Sequence, residues 1–225
     1  MNNKKLMLLA IGLALLLALS GGASFFMLSG SKDNSSDKIR VACVGDSITG
    51  GTYYPDDLWM LFGSNYTVDN FGVGGTAASL DSISPYMHQS EFQEAKHFQP
   101  NFVIIMLGTN DANAIITPNN ASFVSSYVQL VEEFQALSSK PRIWLVKPPP
   151  IFCNGTTPSA ETLRTLIIPE IELVAQQTNS PVINVYSALA NCSQFFPDGV
   201  HPDPQGSQLI ANEIYRALTA PSQFS

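Results

Sequence analysis

Five short apolar runs, separated by longer amphipathic stretches, restrict what this chain can fold into. They lie at 39–44, 66–70, 102–107, 142–147 and 181–185. Within the third, Val103-Ile104-Ile105-Met106-Leu107 carries no polar residue in either alternating position. A strand of that kind is covered on both faces, as in a parallel sheet, rather than on one. Helical patterns fill the gaps. The stretch 55–62 opens with Pro55 followed by Asp56 and Asp57, a favourable first turn. In 122–137, Phe123, Val124, Tyr127, Leu130, Val131 and Phe134 recur at helical spacing. The stretch 159–177 opens on Ser-Ala-Glu-Thr, close to a capping arrangement, and Pro169 is expected to kink it or end its first part. In 204–218, Leu209, Ile210, Ile214 and Leu218 share one face. Strand and helix alternating in this way predict an α/β domain over 39–220, a three-layer α/β/α sandwich around a five-stranded parallel sheet. No internal repeat and no second domain is expected, and 225 residues suit one such domain.

Residues 1–30 read as a targeting segment and not as part of that domain. Lys4 and Lys5 precede an almost unbroken apolar stretch from Leu6 to Leu19, and Ser20, Gly21, Gly22 and Ala23 offer small residues for cleavage. No charge then appears before Lys32, so residues 6–28 are also long enough to anchor in a bilayer. Both readings, cleaved signal peptide and retained membrane anchor, place the domain outside the cytoplasm. Leu19-Ser20-Gly21-Gly22 is close to a lipoprotein box, but Gly22 stands where the lipidated cysteine would be, so no lipid anchor is expected. Residues 31–38 form a polar spacer.

The net charge of −7 lacks the basic footprint of a nucleic-acid binder, and the acidic residues are scattered over what reads as solvated surface. A monomer is expected. Export permits disulfides. Cys153 and Cys192 fall in loop-like segments, and whether they pair is left open; Cys43 lies inside the first apolar run and is expected to be a buried free thiol. Asn34, Asn65, Asn120, Asn154 and Asn191 each begin an Asn-x-Ser/Thr triplet, which matters only in a glycosylating host.

Three motifs fall near the ends of the predicted strands, Gly45-Asp46-Ser47-Ile48-Thr49-Gly50-Gly51, Asn70-Phe71-Gly72-Val73-Gly74-Gly75 and Gly108-Thr109-Asn110-Asp111, and a fourth, Asp198-Gly199-Val200-His201, lies just before the last predicted helix. Parallel sheets build their sites outside the carboxyl ends of the strands, where Ser47, Gly75 and Asn110 fall. The set supplies what acyl transfer needs. Ser47 offers a hydroxyl nucleophile; His201 offers a base, and Asp198, three residues earlier, a carboxylate to fix its tautomer. The backbone N–H groups of Ser47 and Gly75 and the side-chain amide of Asn110 are neutral donors suited to a transient oxyanion. Gly45 would permit a tight strand exit, and Gly50 and Gly51 would leave room for substrate. Taken singly, each has a plainer role: Ser47 as a helix cap, Asn110 as a turn residue, Gly75 as a loop residue at positive φ, and Asp-x-x-His as part of a metal site or a plain loop. A metal would need two more ligands, and His88 and His97 lie in ordinary helix-like stretches with no expected role.

In order and spacing the motifs resemble the SGNH, or GDSL-type, serine hydrolase family over residues 39–218. Its landmark residues map onto Ser47, Gly75, Asn110 and His201, with Asp198 completing the triad, and Gly108-Thr109-Asn110-Asp111 matches the family pattern in full. Gly74 stands where members often carry a polar residue such as Ser, a departure that bears on loop shape. The resemblance implies a flavodoxin-like SGNH fold, no cofactor, no metal, and reaction through an acyl-enzyme. Two rival readings are weaker. Gly72-x-Gly74-x-x-Ala77 loosely fits a dinucleotide fingerprint, but it follows the second predicted strand and no matching acid trails it. The Gly-x-Ser-x-Gly elbow of α/β-hydrolases is absent. A catalytically idle binding module on the same fold is disfavoured by the intact set of five residues.

The expected function is therefore an exported serine esterase acting on short-chain, chiefly O-acetyl, esters of carbohydrates. A lysophospholipase or short-chain lipase is the alternative. Asp198-Gly199-Val200-His201-Pro202 followed by Gly206 resembles the carbohydrate-esterase side of the family. Thr52-Tyr53-Tyr54 could pack against a sugar face, and Pro148-Pro149-Pro150-Ile151-Phe152 is expected to line one wall of the cleft.

Overall fold

The computed structural model describes residues 38–153 and 157–220. Five strands, β1 (Ile39–Gly45), β2 (Tyr66–Gly72), β3 (Phe102–Met106), β4 (Arg142–Lys147) and β5 (Val182–Asn184), form one sheet in the order β2-β1-β3-β4-β5. All four pairings are parallel; Cys43 pairs with Asn70 on one side and with Ile104 on the other. The runs that become β1, β3 and β4 are flanked by neighbours on both edges and covered on both faces, whereas β2 and β5 form the edges of the sheet and are more exposed. The central residues Val41 to Val44 and Val103 to Leu107 are buried.

The helices are α1 (Ser47–Gly50), α2 (Tyr54–Phe62), α3 (Ser90–His97), α4 (Phe123–Gln135), α5 (Ala160–Thr162), α6 (Ile168–Thr178), α7 (Val185–Ala188) and α8 (Pro204–Thr219). Alternation along the strands divides the core into two layers. Ala42, Val44, Val103, Ile105, Ile143 and Leu145 pack with α3, α4 and α6 through Phe92, Tyr127, Leu130, Phe134, Ile171 and Val174. Val41, Cys43, Ile104, Met106, Trp144 and Val146 face the other way, onto α2 and α8 through Tyr54, Leu58, Ile210 and Ile214. The result is the three-layer α/β/α sandwich expected.

Pro169 does not end its helix. The chain passes from α5 through a π turn, Leu163–Ile167, into α6, so the regular α pattern is interrupted just ahead of Pro169, which has no N–H to donate. Cys43, Cys153 and Cys192 are free thiols. Cys153 packs against the first core layer and Cys192 against the second, so the candidate pair is divided between the two. Among the described residues no helix is long and apolar enough to cross a membrane. The expected leader or anchor in residues 1–30 lies outside the described residues, as does the spacer except for Lys38.

The strand order reverses between β1 and β3, and at such switch points the loops leaving the carboxyl ends part to form a crevice. Ser47 follows β1, directly at that point.

Candidate active site

The turn that presents Ser47 is built from close backbone contacts. A Cβ on Gly45 would lie 2.1 Å from Thr49 Oγ1 and 2.6 Å from the Met106 carbonyl, so glycine is required where β1 turns into α1. Asp46 caps α1: its Oδ1 accepts from the Ile48 N–H at 2.9 Å. Asn70 at the end of β2 donates from Nδ2 to the Thr49 carbonyl at 2.8 Å. Gly50 and Gly72 stack backbone on backbone, and a Cβ on Gly72 would come within 2.2 Å of the Gly50 nitrogen. Gly50 thus serves this packing and not the clearance for substrate expected of it.

Ser47 Oγ lies 2.8 Å from His201 Nε2, and His201 Nδ1 lies 2.6 Å from Asp198 Oδ2. A carboxylate only accepts, so Nδ1 carries the proton and Nε2 is free to accept from the serine hydroxyl. The Asp198 carboxylate also takes the backbone N–H groups of Val200 (2.9 Å) and His201 (2.7 Å) on Oδ1. Partial burial works to raise its pKa, but the ring and backbone hydrogen bonds outweigh that and hold it at about 2. The carboxylate is therefore ionised at neutral pH. The turn bends at Gly199 (φ +81°), whose carbonyl accepts from the Phe152 N–H at 2.7 Å.

Gly75 (φ +77°) and Asn110 follow β2 and β3. Asn110 Nδ2 donates one hydrogen to the Thr76 carbonyl at 3.0 Å, which orients the amide and leaves its second hydrogen. Among the described residues, no acceptor takes the backbone N–H of Ser47 or of Gly75. The arrangement thus combines a hydroxyl polarised by a carboxylate-anchored imidazole with donors that have no protein partner. That is the equipment for attack on a carbonyl carbon and for holding the resulting oxyanion.

Comparison with known proteins agrees. The model of the GDSL-like lipase/acylhydrolase family matches residues 43–209. The chain belongs to this family. It is thereby an ester hydrolase by class. An acetylxylan esterase from Xylanibacter ruminicola is 30% identical over 212 residues, 81% of this chain. The chain spans only 43% of that relative's length. Two solved structures share the fold: a carbohydrate acetylesterase from Sinorhizobium meliloti (TM-score 0.65, 17% identity, 81% of this chain and 99% of that one) and an aryl esterase from M. smegmatis (TM-score 0.63, 17% identity, 80% and 98%).

In this GDSL-like hydrolase the structure brings Ser47, Asp198 and His201 into one hydrogen-bonded line and gives Gly75 and Asn110 to neighbouring loops. Asp111 has a part that the sequence did not reveal. Its buried carboxylate accepts from the N–H groups of Ala78 (3.0 Å) and Ser79 (2.9 Å), clamping the loop after Gly75 to the loop after Asn110. Burial pushes its pKa up, against those hydrogen bonds. The only signal was an acid at the end of a motif, because its partners are backbone groups 32 and 33 residues away. The proline run also differs from expectation. Pro148, Pro149 and Pro150 are buried, and Phe152 packs against Phe196 with tilted rings whose centroids lie 5.0 Å apart, so this segment supports the Asp198 turn instead of walling a cleft. Tyr54 is buried with its hydroxyl 2.9 Å from Thr49 Oγ1, and only Tyr53 remains exposed to meet a ligand. His88 and His97 are exposed. Among the described residues, no group of three or more His, Cys, Asp or Glu side chains is placed to hold a metal ion.

Proposed function

We propose that this chain is an exported serine esterase that cleaves short-chain esters of carbohydrates, acetyl esters above all, through an acyl-enzyme. The observation that carries the reading is the unbroken line from Ser47 Oγ through His201 to Asp198, with spacings of 2.8 and 2.6 Å. Ser47 Oγ attacks the ester carbon while its proton passes to His201 Nε2. Asp198 holds the imidazole and offsets the positive charge it gains. The carbonyl oxygen, now negative, is met by the N–H groups of Ser47 and Gly75 and by the Asn110 amide. Collapse of the intermediate breaks the bond to the alcohol oxygen, which takes the proton back from His201. Water, activated by the same imidazole, then attacks the acyl-Ser47 carbonyl, and the carboxylic acid leaves.

The acetyl-carbohydrate part draws support from the similarity to an acetylxylan esterase, of which the chain spans 43%. Export draws support from Lys4, Lys5 and the apolar stretch behind them. The test is turnover of p-nitrophenyl acetate and release of acetate from acetylated xylo-oligosaccharides by the wild type and Ser47→Ala. Loss of at least about a thousandfold is expected in the variant at unchanged circular dichroism. A fluorophosphonate should label Ser47 and no other residue. Normal turnover by Ser47→Ala would refute the mechanism, and release confined to the aryl ester would refute the carbohydrate substrate.

A further inference from the structure

The end of the sheet opposite Ser47 differs from the rest of the molecule in charge and in hydropathy. In a parallel sheet each crossover helix runs back against the strands, so the last turns of α2, α3, α4 and α6 meet the strand starts there. Hydrogen bonds tie these pieces together. The Ile39 N–H donates to the Asn65 carbonyl (3.0 Å), the Asn101 N–H to the Arg40 carbonyl (2.8 Å), and the Arg142 N–H to the Asn101 carbonyl (2.9 Å). The Arg40 guanidinium donates to the Gln99 carbonyl (2.9 and 2.6 Å). The end of α8 joins them through Tyr215, whose ring centroid lies 5.3 Å from that of Phe62 at the end of α2. Of the eight lysines and arginines in positions 38–220, six fall at this end. Lys38 and Arg40 start β1, Lys140 and Arg142 start β4, and Lys96 and Arg216 stand in the last turns of α3 and α8. The acids here are Glu94, Glu132, Glu133 and Glu213, the last two paired with Lys96 and Arg216. Asp46, Asp56, Asp57, Asp111, Asp198 and Asp203 gather instead towards the carboxyl ends of the strands. Lys38, Lys140 and Arg142 are exposed and, among the described residues, belong to no ion pair. Beside them, three consecutive apolar residues in the last turn of α2 face solvent: Trp59 is 51% exposed, Met60 67% and Leu61 38%. That turn is held from within, by buried Leu58 and by the Phe62 ring stacked 4.4 Å from that of Tyr66. The chain also enters the domain here, at Lys38, and only residues 29–38 separate β1 from the apolar segment 6–28.

We infer that this end of the domain docks on the surface of an anionic lipid bilayer, the one in which residues 6–28 are anchored. Trp59, Met60 and Leu61 enter the interfacial layer, and Lys38, Lys140 and Arg142 meet lipid phosphates. The inference rests on the retained-anchor reading of residues 6–28 and is independent of the esterase reading. A ten-residue link spans at most about 35 Å, so an anchored chain keeps this end of the domain within reach of the bilayer. Tryptophan favours the membrane interface, where its ring is half apolar and its N–H stays wet, and lysine and arginine are drawn to anionic headgroups. The polarised charge then turns the acidic carboxyl end of the sheet away from the lipid. Strand β1 is seven residues long, about 20 Å, so Ser47 stands that much farther from the bilayer than Ile39 does. In this orientation the site opens towards esters outside the membrane and not towards the lipid beneath it.

The experiment reconstitutes the full chain in vesicles of phosphatidylcholine and phosphatidylglycerol, with and without bromine on the acyl chains. Trp59 and Trp144 are the two tryptophans of the chain, and Trp144 is buried, so subtracting the emission of Trp59→Phe isolates Trp59 without disturbing the core. Brominated lipid should quench that emission by about half or more, because docking sinks the indole roughly 5–10 Å into the headgroup boundary. In phosphatidylcholine alone, or in the double variant Lys38→Gln with Lys140→Gln, quenching should be at least about twofold weaker. Equal emission in brominated and ordinary vesicles overturns the inference, since the domain is then tethered without docking. Quenching that ignores both phosphatidylglycerol and the double variant overturns it as well, because the cations then have no part. So does a mature chain found free of membranes with its first residue beyond position 28. The readout needs no substrate, so failure of the esterase reading is seen separately, in the turnover assays.

Discussion

Asp46 is the residue next to the proposed nucleophile, and its carboxyl is fully buried. Oδ1 caps α1, while Oδ2 is buried without a hydrogen-bond partner among the described residues. Burial pushes the pKa up to about 7; the Ile48 N–H opposes the rise and the nearby Asp111 carboxylate adds to it. An acid whose folded pKa exceeds its unfolded value binds more protons when folded, so the native state loses stability as pH rises from about 4 to about 7. Asp46→Asn keeps an acceptor for Ile48 and removes the titration. The variant's melting temperature should therefore gain on wild type between pH 5 and pH 8, and thermal unfolding across that range checks it. A gap that stays constant with pH would mean that the buried carboxyl does not titrate there. Asn110 acts on the reaction instead. Asn110→Ala should lower kcat by roughly a hundredfold or more with little change in KM, because its free amide hydrogen is used chiefly in the transition state. Steady-state kinetics decide between that and a ground-state binding role, which would raise KM at constant kcat.

At the scale of elements, the site depends on how tightly α1 is pressed against the end of β2. Gly72→Ala would place a Cβ 2.2 Å from the Gly50 nitrogen, and the obstacle is backbone on both sides, so no side chain can swing away. The expected cost is about 1–3 kcal/mol of stability. A fall in kcat should accompany it, since α1 carries Ser47 away from His201. Melting temperature and kcat measured together test this; loss of stability alone would show that α1 shifts without moving the serine. The elements themselves were largely legible in the sequence, because a strand buried on two faces and an amphipathic helix are written in consecutive residues. The 102–107 run and the 142–147 run matched β3 and β4 within a residue. The five proposed site residues stand in short motifs, three of them after strands and two just before the last helix, which is why the sequence singles them out. What was hidden depends on partners distant in the chain. Gly50 reads as open space until Gly72 is seen against it, and Asp111 has no role until Ala78 and Ser79 arrive.

At the scale of the whole molecule, the hydrogen bond between Ser47 and His201 joins residues 154 positions apart, so the site exists only once the first and last units of the sheet are assembled on one frame. The helix α8 makes that closure. It starts just after His201, capped by Asp203, whose Oδ1 accepts from the Gly206 N–H at 2.8 Å and whose own N–H donates to the Phe195 carbonyl at 2.8 Å. Its far end is fixed differently, by Ile210 and Ile214, both fully buried in the layer shared with α2. The two ends should therefore be separable by mutation. Ile214→Ala opens a cavity in that layer and should cost about 2–5 kcal/mol. For a domain of this size that corresponds to a melting temperature lower by roughly 5–15 °C. At 25 °C, where the variant is still folded, kcat and KM should remain near wild type, because the Asp198–His201 turn is held by its own carboxylate bonds and by the Phe152 contact. Thermal unfolding and kinetics on the same preparation decide the matter. A variant that melts like wild type but turns over slowly would show that α8 positions His201 through its body and not through its first turn.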